Sequence, residues 1–166
     1  MTPPPQALAG PAVAAALETA GFTHVVWVPD SHIGTWEEAI LGSRLGLVRV
    51  CREGEAVAVA AGLMLGGAVP VVAIQCTGFF EAGDAVRNVA HDLGLPLKMI
   101  VGVRSGRAYA AGRSADSAAR LAEPVVRAFG LSAGRFDPSA RTPDDLRAAV
   151  GSLRAEPGPF ALLWEE

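Results

Sequence analysis

The chain has one Lys (Lys98), one Asn (Asn88), one Tyr (Tyr109) and two Cys among its 166 residues. Thirteen of the fourteen basic residues are therefore Arg, and the net charge is only −3. That balance gives no reason to expect nucleic acid or an anionic membrane as a partner. Cys51 and Cys76 show neither a metal-ligand spacing nor a disulfide framework. Both stand in apolar surroundings, so they read as buried free thiols of a reducing, cytoplasmic compartment. No zinc spacing, Walker loop or GxGxxG is present, and no metal ligand is assigned. The first residues, MTPPPQALAG, lack a basic segment followed by an apolar block, and no signal peptide is read there.

Charge is missing altogether between Ala56 and Phe80, a run long enough to span a bilayer. The run is rich in Ala and Gly, lacks a basic anchor and changes character at Pro70. It parses better as a helix (AVAVAAGLMLGG) followed by a strand (VVAI), both buried in a protein core.

What is present is a folded composition: 51% apolar and 19% charged residues, at a length suited to one domain over residues 1–166. Helices are expected over Gln6–Ala20, Trp36–Ser43, Glu53–Leu65, Gly83–Leu93, Asp116–Phe129 and from Thr142 to about Leu153. Strands are expected at His24–Val28, Leu47–Val50, Val71–Ile74, Leu97–Val103, near Gly134–Phe136 and at Phe160–Trp164. Such alternation predicts an α/β fold: a doubly wound, mostly parallel six-stranded sheet with helices on both faces. Ligands of such folds bind outside the carboxyl ends of the strands. Four loops fall there: Pro29–Gly34, Cys51–Glu55, Gln75–Glu81 and Arg104–Arg113.

Glu53 and Glu55 stand where a strand gives way to a helix, and the helix dipole alone could account for both. The stretch that follows is almost free of bulk and charge. A carboxyl beside it would be poorly solvated, which favours the protonated form and a proton-donating role. Gln75, Thr77 and Gly78 form a small polar turn that could face a ligand or simply join two elements. Cys76 with a His could make a nucleophile and base, although no nucleophile elbow surrounds it. His32, beside Asp30 and Ser31, is a candidate acid/base or substrate-binding group. Arg104, Arg107 and Arg113 could bind a carboxylate, phosphonate or sulfonate, or could be solvated charge.

Taken in order, VWVPDS (Val26–Ser31), CREGEAVAVAAG (Cys51–Gly62), PVVAIQCTG (Pro70–Gly78) and LGLPLKMIVGVR (Leu93–Arg104) resemble one family. They resemble the pyrimidine-binding domain of thiamine diphosphate-dependent 2-oxo acid decarboxylases, most closely phosphonopyruvate and sulfopyruvate decarboxylases. In that family a glutamate stands nine residues before a helix glycine, and counting back from Gly62 gives Glu53 rather than Glu55. The resemblance implies that Glu53 activates thiamine diphosphate by hydrogen-bonding its pyrimidine ring. It also implies that Gln75, Thr77 and Gly78 lie at the cofactor. Ser31 and His32 would serve catalysis, with Asp30, Arg104 and Arg107 at the substrate. Cys76 stands where the family often has Asn, and Phe79-Phe80-Glu81 where it is usually smaller.

The family holds Mg2+ and diphosphate through GDG followed by a distant Asn. Here Gly83-Asp84-Ala85 lacks the last Gly, and Asn88 comes only four residues after Asp84. The resemblance therefore implies a hetero-oligomer whose separate β subunit binds Mg2+, acting on a 3-substituted pyruvate. A non-catalytic assembly or regulatory subunit of the same fold, or a thiamine diphosphate-dependent carboligase, is the alternative.

Overall fold

The computed structural model describes residues 8–166. Six strands form one sheet: β1 (His24–Trp27), β2 (Gly46–Arg49), β3 (Pro70–Gln75), β4 (Lys98–Val103), β5 (Ser132–Phe136) and β6 (Phe160–Glu165). Their order is β2-β1-β3-β4-β6-β5, and every pairing is parallel. Parallel strands need long crossovers, and the helices that make them cover both faces. The central strands are consequently buried on both sides: all six residues of β4 are buried, as are Pro70–Ile74 of β3. That is why they read as unbroken apolar runs rather than as alternating patterns.

One core lies under α3 (Glu53–Leu65), α4 (Cys76–Glu81), α5 (Gly83–Arg87) and α7 (Ser117–Ala128), with Val57, Phe79, Val86 and Val126 against Val72, Ile74, Met99 and Val101. The other lies under α1 (Gly10–Thr19), α2 (Glu37–Leu41) and α8 (Pro143–Ala155), where Leu17, Ile40 and Leu146 meet Trp27, Val71, Ile100 and Trp164. Helix α8 begins at a complete capping box: the Thr142 hydroxyl accepts from the Asp145 N–H, and the Asp145 carboxylate accepts from the Thr142 N–H. The uncharged run divides as expected. Helix α3 ends before Gly66, the chain turns at Gly67 (φ +85°), and β3 begins at Pro70. No helix among the described residues is long and apolar enough to cross a membrane.

Several boundaries differ from the sequence reading. Gln6, at the start of the first expected helix, lies outside the described residues, and α1 starts at Gly10. The helix expected from Trp36 is a 3-10 turn, Ile33–Trp36, leading into α2. The expected loop Gln75–Glu81 is instead α4, which starts directly from an extended Gln75 (φ −78°, ψ 158°). The helix expected over Gly83–Leu93 is α5 followed by a π-helical turn, Asn88–Asp92. The loop after β4 contains α6 (Gly106–Ala110), reached through a left-handed Ser105 (φ +57°). Cys76 is buried, but Cys51 is exposed: it sits on the turn between edge strand β2 and α3, where no layer covers it.

Candidate active site

The strand order reverses direction between β1 and β3, since β2 lies on one side of β1 and all later strands lie on the other. The carboxyl ends of β1, β3, β4 and β6 open onto this point, where α/β sheets bind ligands.

Glu53 is the first residue of α3 and is half-buried. Its carboxyl lies against the backbone of Gly78 in α4: a Cβ on Gly78 would stand 2.6 Å from the Glu53 Cδ. Glycine at 78 is thus the condition for Glu53 to occupy its place. Glu55 does other work, accepting the Cys51 N–H at 3.1 Å at the helix start. Glu81 holds the same corner from α4. It takes a hydrogen bond from Arg52 Nη2 (2.6 Å) and one from the Gly54 N–H (3.3 Å). The Arg52 guanidinium and this N–H keep the Glu81 carboxyl below the usual carboxylate range. The sequence reading missed Glu81, because its partners lie 27 and 29 residues away in the chain.

On the other face of the sheet, the loop after β1 curls around Asp30. Its Oδ1 accepts the N–H groups of His32 and Ile33, each at 2.8 Å, which starts the 3-10 turn. Its Oδ2 is buried with no partner. Ser31 and His32 are exposed on this loop. Gln75 ends β3 half-buried and accepts a hydrogen bond from the exposed Thr77 hydroxyl at 2.9 Å.

Arg104 and Arg107 follow β4 and are partly exposed; Arg104 faces Asp116 at 3.5 Å and Arg107 faces Asp137 at 3.8 Å. Those are loose pairs. Arg113 is exposed beyond α6.

Glu166, absent from the sequence-derived candidates, lies beside Gly102 of β4. It follows β6 and is only 8% exposed. Gly102 in β4 leaves room for it, since a Cβ there would stand 3.1 Å from the Glu166 Cδ and 3.5 Å from Ile33 Cδ1. Burial raises its pKa to about 7; the charge of Asp30 adds to that, while Gln75, Arg104 and Arg107 act against it. The expected final strand stopped at Trp164, and the acid beyond it carried no motif. The available signal was an acid directly after a strand at the ligand-binding end of the sheet.

Cys76 does not suit a nucleophile. It is fully buried in the core, and burial pushes its thiol pKa up, away from the reactive thiolate. His91 is engaged elsewhere, its Nε2 lying 2.6 Å from the Phe129 carbonyl. Among the described residues no cluster of three or more His, Cys, Asp or Glu could hold a metal ion. A half-exposed carboxyl beside a side-chain-free glycine suits a flat nitrogen heterocycle.

The family described as thiamine pyrophosphate enzyme, N-terminal TPP binding domain, matches residues 9–128. No curated protein matches the chain. Among 184 matching solved chains is the benzoylformate decarboxylase of Polynucleobacter necessarius. It superposes with a TM-score of 0.68 at 20% identity, over 95% of this chain and 29% of the other. At that identity the likeness is one of fold, and the chain spans less than a third of that enzyme's length.

Proposed function

The chain belongs to the thiamine pyrophosphate enzymes through their N-terminal cofactor-binding domain, and from that premise we propose that it is the pyrimidine-binding α subunit of a cytoplasmic 2-oxo acid decarboxylase. Residues 1–166 act as one domain in this reading. The observation that carries it is the seating of Glu53 on Gly78, at a helix start beside the switch point of the sheet.

Bound thiamine diphosphate supplies the electron sink for loss of carbon dioxide. When the cofactor is bound, Glu53 would hold a proton at the pyrimidine ring nitrogen, with Gly78 leaving room for its carboxyl, and Gln75 and Thr77 would help hold the ring. Ser31 and His32, exposed on the loop after β1, face the reacting 2-oxo acid. Arg104 and Arg107 bind the second anionic group of a 3-substituted pyruvate, phosphonopyruvate- or sulfopyruvate-like. Mg2+ and the diphosphate are held by a separate β subunit, which makes the active species a hetero-oligomer.

The test is co-purification with the β subunit, followed by measurement of carbon dioxide release with thiamine diphosphate and Mg2+. The assembled pair should turn over phosphonopyruvate or sulfopyruvate. Glu53→Gln should lose roughly a hundredfold or more of that rate, the scale of a positioned proton-transfer group. An unchanged rate would remove Glu53 from the role. A folded complex that binds no thiamine diphosphate would instead mark an assembly subunit.

A further inference from the structure

Helix α3 begins without a cap of its own. Its N-cap residue, Arg52, has an extended backbone (φ −143°, ψ 146°) but no side-chain oxygen to offer the first free N–H groups. Glu55, the other acid of the first turn, reaches back to the Cys51 N–H, outside the helix. The second helical residue, Gly54, has no Cβ and holds helical geometry weakly. The chain therefore carries Glu53 on a first turn that its own residues do not cap, and helix ends are where fraying starts.

Helix α4 supplies what α3 lacks. Glu81 Oε2 accepts the Gly54 N–H at 3.3 Å, a bond that an N-cap side chain would ordinarily take. Its Oε1 accepts from Arg52 Nη2 at 2.6 Å. One carboxylate thus holds the residues on either side of Glu53. Gly78, which leaves room for the Glu53 carboxyl, lies one turn earlier in the same helix. The Arg52 guanidinium favours the ionised form of Glu81, which is the stronger acceptor. The two side chains are 75% and 39% exposed, and pairs so exposed add little to stability. What this one adds is position.

We propose that Glu81 is a positioning residue for Glu53: a cap supplied from α4 that fixes the first turn of α3 and with it the direction of the Glu53 carboxyl. Its effect on turnover rests on the proton-handling role given to Glu53 above; the cap itself does not.

The cap is tested on the full-length, cofactor-free chain by amide hydrogen exchange. Glu81→Ala should speed exchange at Gly54 about tenfold, the effect of losing one charge-assisted hydrogen bond. In the assembled enzyme with thiamine diphosphate and Mg2+, Glu81→Ala should lower kcat about tenfold, with KM for the 2-oxo acid and the melting temperature close to wild type. In a Glu53→Gln background the same change should cost nothing further, because a group that acts only through Glu53 has nothing left to position. Glu81→Gln keeps the length of the side chain and one acceptor while losing the charge. It should show a smaller loss with the same dependence on Glu53, and it carries the cycle if Glu81→Ala does not fold. An equal fold-loss in both backgrounds overturns the positioning role, and Gly54 exchange unmoved by Glu81→Ala overturns the cap. If exchange responds as expected but the wild-type assembly turns over no 2-oxo acid, the cap stands and the decarboxylase reading falls.

Discussion

The two ends of the sheet treat buried charge in opposite ways. At the amino ends of the strands the single lysine, Lys98, is 5% exposed. Its ammonium donates to the carbonyls of Glu156 and, at 2.6 Å, Gly158. Burial lowers its pKa, but its donors are used. At the carboxyl ends Asp30, half-buried, and Glu166, buried, each keep one buried oxygen without a partner. A buried polar group without a partner costs about 1–3 kcal/mol. The difference teaches where this fold spends stability: the amino end is closed as a structural corner, while the carboxyl end keeps unmet hydrogen-bonding capacity where ligands bind.

The sharpest way to break the contrast acts at the carboxyl end. Gly78→Ala puts a methyl against the Glu53 carboxyl and should cut cofactor-dependent turnover at least about tenfold, since small displacements of catalytic groups are costly. Kinetics of the assembled complex check this, with circular dichroism as the control for folding.

Lys98→Met should act at the other end only. It leaves two carbonyls without their donor and should lower stability by about 2 kcal/mol in urea unfolding, with turnover per folded molecule unchanged. A loss of turnover beyond the loss of fold would erase the distinction between the ends.

The buried Glu166 carboxyl predicts a pH dependence of defined sign. Glu166 has a folded pKa of about 7, raised above the usual carboxylate value of 4.5. Its contribution to stability is fully present below about 4.5 and is lost as pH rises toward 7. Wild type should therefore lose roughly 2 kcal/mol more than Glu166→Gln across that window. Unfolding at a series of pH values measures the difference. A flat difference would contradict a raised folded pKa.

The smallest effect is away from both ends. Thr142→Ala removes half of the capping box of α8 and should cost about 1 kcal/mol, visible as a lower melting temperature with no change in turnover.

Much of the architecture was legible before folding. Helix α3 falls on Glu53–Leu65 as expected, because an alanine-rich stretch between an acidic start and a Gly-Gly end has few other options. Glu53 stood out from Glu55 only through its distance to Gly62 and a family likeness, and nothing local to it announced that its carboxyl lies against Gly78. Helix α4 was not legible. The residues Gln75–Glu81 carry turn-like composition, and only packing of Phe79 into the core makes them helical. The three arginines looked like one cluster in sequence, yet the left-handed Ser105 and α6 distribute them.

By itself the sequence determined the order of the six strands and of the long helices between them, the helix that carries Glu53, and the family to which the chain is similar. These follow from local propensity, periodicity and short motifs, which act over a few residues. The tertiary structure alone decided that Gly78 seats Glu53, that Glu81 clamps the start of α3, and that Glu166 lies over Gly102 beside Ile33. Such contacts join residues separated by tens or more than a hundred positions. No local pattern encodes them, because it is the parallel crossovers of the sheet that bring one strand's end beside another's.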